Sequence, residues 1–96
     1  MGEGLLSAMT KVPRYDARRD ANEPEIVEAL EAVGASVLRL DDVDLLIGYR
    51  GTNYLMEVKT PEGKLNKKQQ KFFRSWQGQV NIVRTRIQAL KLIGAI

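Results

Sequence analysis

Hydrophobic residues recur with a regular period only beyond residue 20 of this 96-residue chain. The first periodic run lies between Asn22, a typical helix N-cap, and Gly34, a typical terminating residue. Its apolar residues follow the i, i+1, i+4, i+7 spacing of one helix face and are Ile26, Val27, Leu30 and Val33. This spacing predicts an amphipathic helix over 22–34.

Short apolar runs separated by turn residues predict the rest of the chain. After the first helix, the predicted elements are strands over 36–40, 43–49 and 53–59, a helix over 65–77, a strand over 80–84 and a helix over 85–93. Asn66 and Thr85 are suited to cap the two later helices. The third and fourth strands are joined through a helix, which implies a parallel pair. The order α-β-β-β-α-β-α therefore predicts an α/β fold, with helices on both faces of one mixed sheet.

The first 20 residues show no sustained hydrophobic period and carry four cations, Lys11, Arg14, Arg18 and Arg19. We interpret residues 1–20 as an N-terminal arm, flexible or loosely docked, and residues 21–96 as the folded domain. The N-terminus lacks the basic start and long apolar run of a signal peptide, and no stretch approaches the length of a membrane span. We therefore expect a cytoplasmic protein with no membrane partner.

The composition restricts the chemistry that the domain can perform. The chain has no cysteine and no histidine, which removes thiolate ligands, the commonest zinc ligand and the commonest general base. A bound metal must then be held by oxygen atoms, which favours Mg²⁺ or Mn²⁺. The net charge of +3 and the sequence pI of about 9.4 are compatible with a polyanionic partner.

The second and third predicted strands form a hairpin that brings three charged residues together. A two-residue Gly51-Thr52 turn would place Asp44 opposite Lys59 and Leu46 opposite Glu57. Because alternate side chains of a strand share a face, Asp44, Glu57 and Lys59 would then lie together. The other face would be apolar and would carry Leu45, Ile47, Tyr49, Tyr54, Met56 and Val58.

Charges on a mainly hydrophobic sheet need compensation by a metal, a partner or one another. Two carboxylates can hold a hard divalent cation that polarises a phosphodiester, and an ammonium group can stabilise the developing negative charge. The structural alternative is a cross-strand ion pair between Asp44 and Lys59, with Glu57 as a solvated neighbour. The pattern alone leaves both interpretations open.

The first helix has two glutamates near its start, and their directions differ. Glu23 extends the buried stripe, where it would add an acidic group near the charged trio or serve as a charge favoured by the helix dipole. Glu25 instead matches the capping-box position relative to Asn22.

The second helix has a polar residue on its apolar face. Gln69 is spaced to share the face of Phe72, Phe73 and Trp76, which we expect to belong to the core rather than to stack on nucleobases. Gln69 would either complete a capping box with Asn66 or reach the charged trio. The remaining faces carry five cations, which form a solvated surface or a ridge for a nucleic-acid backbone: Lys64, Lys67, Lys68, Lys71 and Arg74.

Four segments span about residues 20–90: NEPEIVEALEAVGASV, VDLLIGYRGTNYLMEVK, LNKKQQKFFRSW and GQVNIVRT. Together they resemble the PD-(D/E)XK nuclease superfamily, and most closely the small VRR-NUC or Holliday-junction-resolvase-like proteins of phages and bacteria. The resemblance implies a restriction-endonuclease-like αβββαβ core. The sequence departs from the family pattern at Val43, where many members have proline.

The resemblance also implies roles for individual residues. The implied catalytic residues are the helix-one glutamate Glu23, the motif aspartate Asp44, the E-x-K pair Glu57 and Lys59, and the helix glutamine Gln69. The implied metal ligands are the carboxylates of Glu23, Asp44 and Glu57 together with the backbone carbonyl of Val58.

The function expected from these features is hydrolysis of DNA phosphodiesters by an endonuclease that depends on Mg²⁺ or Mn²⁺. The resemblance favours structured or branched DNA as substrate, a homodimer as the working form, and a bacterial or phage-infected cell as the setting. Two alternatives remain at this stage. One is a non-catalytic nucleic-acid-binding or assembly module that retains the nuclease fold, and the other is an RNA nuclease.

Overall fold

The structure of the protein is a computed structural model that describes residues 20–96. The predicted order of elements is confirmed. The elements are α1 (Glu23–Ala32), β1 (Ser36–Arg39), β2 (Leu45–Tyr49), β3 (Thr52–Val58), α2 (Lys67–Ser75), β4 (Asn81–Val83) and α3 (Arg86–Leu92). Within the described part, none of the helices has the length and apolar character needed to cross a membrane. The predicted arm lies outside the described residues except for Asp20.

The four strands form one sheet in the order β1-β2-β3-β4. The pairs β1–β2 and β2–β3 are antiparallel, whereas β4 runs parallel to β3. The predicted mixed sheet is therefore confirmed. Since β3 and β4 are parallel, their carboxyl ends lie side by side, and the segments that leave them begin at the same edge of the sheet.

The hairpin between β2 and β3 differs from the predicted register by two residues. The two turn residues are Arg50 and Gly51, with φ of 50° and 79°, and Tyr49 pairs with Thr52. Two successive positive φ values define a type I′ turn, which normally selects Asn or Gly at the first position. The predicted Gly51-Thr52 turn is wrong because Arg50 adopts this conformation. An even shift leaves every side chain on its predicted face.

The hydrophobic core lies between one face of the sheet and helices α1 and α3, which contact each other. The buried apolar residues of the two inner strands alternate along each strand, as predicted for a sheet with one covered face. The core consists of Ile26, Val27, Leu30, Ala35, Leu45, Ile47, Met56, Val58, Val83, Ala89 and Ile93.

Helix α2 lies on the other face of the sheet and has no fully buried residue. Phe72 and Phe73 are half-buried, and Trp76 remains 45% exposed. The prediction that these aromatic residues belong to the core is therefore wrong. Their rings pack on one another instead: those of Phe72 and Trp76 are stacked, with centroids 5.2 Å apart and an interplanar angle of 19°. This packing leaves the indole ring at the surface.

Candidate active site

The carboxylates of Asp44 and Glu57 come together on the sheet face opposite the core. Continuing the β2–β3 register by one residue places Asp44 across from Glu57, whereas the predicted register placed it across from Lys59. The Val58 backbone N–H donates a hydrogen bond of 2.8 Å to Asp44 Oδ2. Asp44 is thus anchored to β3 by the backbone group next to Glu57.

Glu57 is more deeply buried than Asp44, with 2% of its surface exposed. Its Oε2 accepts a hydrogen bond of 2.8 Å from Gln69 Nε2 and lies 3.9 Å from Lys59 Nζ. The structural alternative, in which Glu57 is a solvated neighbour, is therefore wrong. The three predicted charges share one site, and α2 contributes Gln69 to it.

The pKa of Glu57 is raised from 4.5 to about 8. Burial is the main cause, because it removes water from the charged form, and the nearby carboxylate of Asp44 adds to it through its charge and a hydrogen bond. The Lys59 ammonium opposes the shift. Glu57 therefore keeps its proton at neutral pH in the absence of a cation, as expected when two carboxyl groups share a buried site.

Both predicted roles of Gln69 are found together. Its backbone N–H donates to Asn66 Oδ1 at 2.8 Å, and its Oε1 accepts from the Asn66 backbone N–H at 2.9 Å. These bonds complete the capping box of α2. The Nε2 group remains available to hold Glu57. The start of α2 is therefore fixed directly against the carboxylate pair.

Glu23 is buried at the first position of α1, with 1% of its surface exposed. Its burial confirms the predicted inward direction. Its Oε2 accepts a hydrogen bond of 3.0 Å from Arg39 Nε, and the two residues form an ion pair. A role for Glu23 as a metal ligand stays a prediction.

Asn22 connects α1 to the carboxyl ends of the two parallel strands. Its Nδ2 donates to the backbone carbonyls of Lys59 at 3.1 Å and Arg84 at 2.9 Å, the residues that follow β3 and β4. The side chain makes no capping hydrogen bond, so the predicted cap is wrong in its chemistry although Asn22 occupies the N-cap position. The amide holds the backbone of Lys59 in place instead.

The segment that follows Lys59 is held by two further side chains. Thr60 N donates to Asp20 Oδ2 at 3.1 Å. Arg84 Nη1 donates to the carbonyls of Thr60 at 2.7 Å, Gly63 at 2.8 Å and Pro61 at 3.2 Å. Sequence periodicity gave no signal for these contacts, since they join loop residues that are distant along the chain. They fix the turn that leads from the active face to α2.

The predicted cationic ridge is exposed in the structure. All five of its side chains face solvent around the start and outer surface of α2, and they are Lys64, Lys67, Lys68, Lys71 and Arg74. The helix that carries these cations also carries Gln69. A polyanion bound along the ridge would therefore pass close to the carboxylate pair.

The donor set at this site fits a hard divalent cation. Asp44 and Glu57 present carboxylate oxygens, the ligand type that Mg²⁺ and Mn²⁺ prefer. Burial, the main cause of the raised pKa of Glu57, disfavours its charged form, and a bound cation would offset this by favouring the carboxylate. Among residues 20–96, no group of three acidic side chains forms a ready metal cluster.

A comparison with solved structures supports the fold. A solved structure described as a VRR-NUC domain is similar to the chain, with a TM-score of 0.56 and 27% sequence identity. The match covers 77% of this chain and 96% of the other. No protein-family model and no curated protein matches the sequence.

The match confirms the predicted fold class, a restriction-endonuclease-like α/β fold with a mixed sheet flanked by helices. It also confirms the resemblance to the VRR-NUC family over most of the chain and supports a nuclease-family function.

Proposed function

We propose that this protein is a divalent-metal-dependent endonuclease that hydrolyses the phosphodiester bonds of structured or branched DNA. The observation that carries the proposal is the pairing of Asp44 with a buried, proton-holding Glu57, with the Lys59 ammonium 3.9 Å away. Phosphodiester hydrolysis requires charge neutralisation and an oriented water, and a cation held by the two carboxylates together with the Lys59 ammonium would supply both.

Asp44 and Glu57 would hold Mg²⁺ or Mn²⁺, with the Val58 carbonyl and Glu23 as the further ligands of the proposal. The bound cation would polarise the phosphodiester and lower the pKa of a water molecule. Gln69 keeps the Glu57 carboxylate in one orientation through its 2.8 Å hydrogen bond. Outer partners of this kind typically affect metal affinity or activity by about 10- to 100-fold.

Lys59 would act on the reacting phosphate rather than on the metal. Its ammonium lies beside the carboxylate pair and is only 13% exposed, so its charge is less screened than that of a surface lysine. It is positioned to stabilise the negative charge that develops on the phosphate oxygens. The Asn22 amide fixes the Lys59 backbone and thereby limits the positions that the ammonium can reach.

The cations along α2 would bind the DNA backbone without reading its sequence.

A domain of this size covers little of a branched DNA, so we propose that two copies act together as a homodimer. Light scattering at micromolar concentration tests this point: a mass near twice 10.8 kDa is expected, and a monomer would contradict it.

A cleavage panel tests the proposed function. Supercoiled plasmid, a flap and a four-way junction are each incubated with Mg²⁺, Mn²⁺ or EDTA. We expect cleavage with either metal, faster on the branched substrates, and none with EDTA. Asp44→Asn should lose this activity because it removes one carboxylate, whereas Asp42→Asn changes an exposed aspartate and should leave it intact. Cleavage that persists in EDTA or in Asp44→Asn would contradict the proposal, and binding without cleavage would favour the non-catalytic module.

A further inference from the structure

The sheet face that carries the carboxylate pair continues into an open apolar hollow. The hollow has a volume of about 380 Å³, and its lining includes Leu46, Leu55, Asn53, Trp76 and Gln79. Leu46 and Leu55 are cross-strand partners on β2 and β3. They form the floor, and Trp76 at the end of α2 forms one wall. The volume is within the range of small-molecule sites, roughly 300–1,000 Å³.

The hollow lies next to the carboxylate pair. Leu55 is two residues from Glu57 on β3 and shares its face, which corresponds to a separation of about 6.6 Å along the strand. Leu46 has the same relation to Asp44 on the neighbouring strand. A nucleotide strand whose phosphate lies at the pair would therefore place at the hollow a base that is one or two nucleotides away. Successive bases of a duplex are spaced by about 3.4 Å.

Trp76 presents a held aromatic surface to this hollow. One side of its indole is stacked on Phe72, with ring centroids 5.2 Å apart. The ring is thus supported on one face, yet it remains 45% exposed. An aromatic ring held in this way can stack on a flat partner at little entropic cost.

The charge around the hollow indicates what kind of flat partner it accepts. Trp76 follows directly on a helix whose exposed surface carries cations, among them Lys71 and Arg74 close to it in sequence. A nucleotide offers a phosphate to these cations and a base to the indole ring. An apolar protein segment would satisfy the ring but not the cations.

We propose that this hollow binds an unpaired nucleobase of the DNA substrate, stacked on Trp76, one or two nucleotides from the phosphate at Asp44 and Glu57. The inference rests on the proposed function and narrows its substrate class. DNA with unpaired nucleotides beside the cleavage point, such as a flap or an opened junction, is preferred over continuous duplex because a paired base cannot reach the ring without unstacking.

The fluorescence of Trp76 tests the proposal directly, since it is the single tryptophan of the chain. The protein is titrated in EDTA, where the proposed cleavage is blocked, with a flap that has unpaired thymines, the same flap with abasic sites at those positions, and a continuous duplex. We expect the thymine flap to quench the emission and to bind tighter than the other two. The abasic flap and the duplex should leave the emission nearly unchanged.

Substitutions complete the test through fluorescence anisotropy of labelled DNA. Trp76→Ala should weaken binding of the thymine flap by about 5- to 100-fold and should change binding of the duplex by less than about 2-fold. Trp76→Phe keeps a stacking surface and should recover most of the affinity. Ile87→Ala removes another exposed apolar side chain, on α3, and should leave binding of both DNAs unchanged.

Equal quenching by the thymine and abasic flaps would overturn the inference. A change in the mass of the protein by light scattering on Trp76→Ala would also overturn it, because it would assign the hollow to a protein contact. The proposed function fails separately. Quenching by the thymine flap without any metal-dependent cleavage would contradict the nuclease alone, and cleavage without quenching would contradict the stacking site alone.

Discussion

Replacing Glu57 with glutamine is expected to lower DNA cleavage strongly and, in the same protein, to stabilise the metal-free fold at alkaline pH. Cleavage should fall on the order of 10³-fold, because one of the two carboxylates of the proposed metal site is lost. The fold should gain stability because glutamine resembles the protonated side chain and can still accept the hydrogen bond from Gln69. Opposite effects on activity and stability are typical of a residue kept for function.

The pH dependence of this stabilisation follows from the raised pKa of Glu57. Its pKa is about 8 in the folded protein against 4.5 for the ordinary side chain, so between these pH values the folded state holds a proton that the unfolded state has released. The contribution of Glu57 to the free energy of unfolding therefore falls as pH rises from about 4.5 to 8, by an amount on the order of 4 kcal/mol. Glu57→Gln should remove this fall.

Urea unfolding at pH 5 and pH 9 measures both effects, with EDTA present to exclude metals. The wild type should be less stable at pH 9 than at pH 5, and Glu57→Gln should be the more stable protein at pH 9. Glu28→Gln is the matched control, since Glu28 is exposed on α1 and the change is chemically identical. Equal stability of Glu57→Gln and the wild type at pH 9 would show that Glu57 carries no burial penalty.

Replacing Lys59 with methionine should lower kcat by about 10²- to 10³-fold and leave KM for DNA nearly unchanged. Methionine keeps the aliphatic stem but removes the ammonium that lies 3.9 Å from Glu57 Oε2. The lost interaction is one that strengthens as charge develops on the phosphate, so the loss appears in kcat. A second consequence is a further rise in the pKa of Glu57, because Lys59 lowers it in the wild type.

Single-turnover cleavage across a range of pH separates these consequences. The pH profile of Lys59→Met should move to higher pH, and its plateau should remain low. Lys64→Met removes an exposed cation from the turn before α2 and should affect KM more than kcat. A large rise in KM for Lys59→Met with kcat preserved would instead make Lys59 a DNA-binding residue.

The face of each charged residue could be predicted from the sequence, but the register could not. Side chains alternate with period two along a strand, so the hydrophobic pattern placed Asp44 and Glu57 together whichever even register applied. The register itself depends on the turn. Arg50 takes a positive φ there, and turn rules that favour Gly or Asn at such a position pointed to the wrong pair of residues.

Contacts between distant loops could not be predicted from local patterns. Asn22 fitted an N-cap, yet its amide bonds to Lys59 and Arg84, which are far away along the chain. The helical spacing of Trp76 correctly gave its face but not its burial, because periodicity does not report how much of the sheet a helix covers. By contrast, both predicted contacts of Gln69, the capping box with Asn66 and the contact with Glu57, are found, since its side chain has a donor and an acceptor.

Asp44 and Glu57 are proposed to form a metal site, and calorimetric titration with Mn²⁺ at pH 7 measures the binding at this site. Repeating the titration in buffers of different ionisation enthalpy gives the number of protons released. Because Glu57 must lose its proton to bind the cation, the wild type should release about one proton per Mn²⁺, and Glu57→Gln should bind far more weakly and release none. Absence of Mn²⁺ binding, or equal affinity and equal proton release in Glu57→Gln, would rule out a metal site at Asp44 and Glu57.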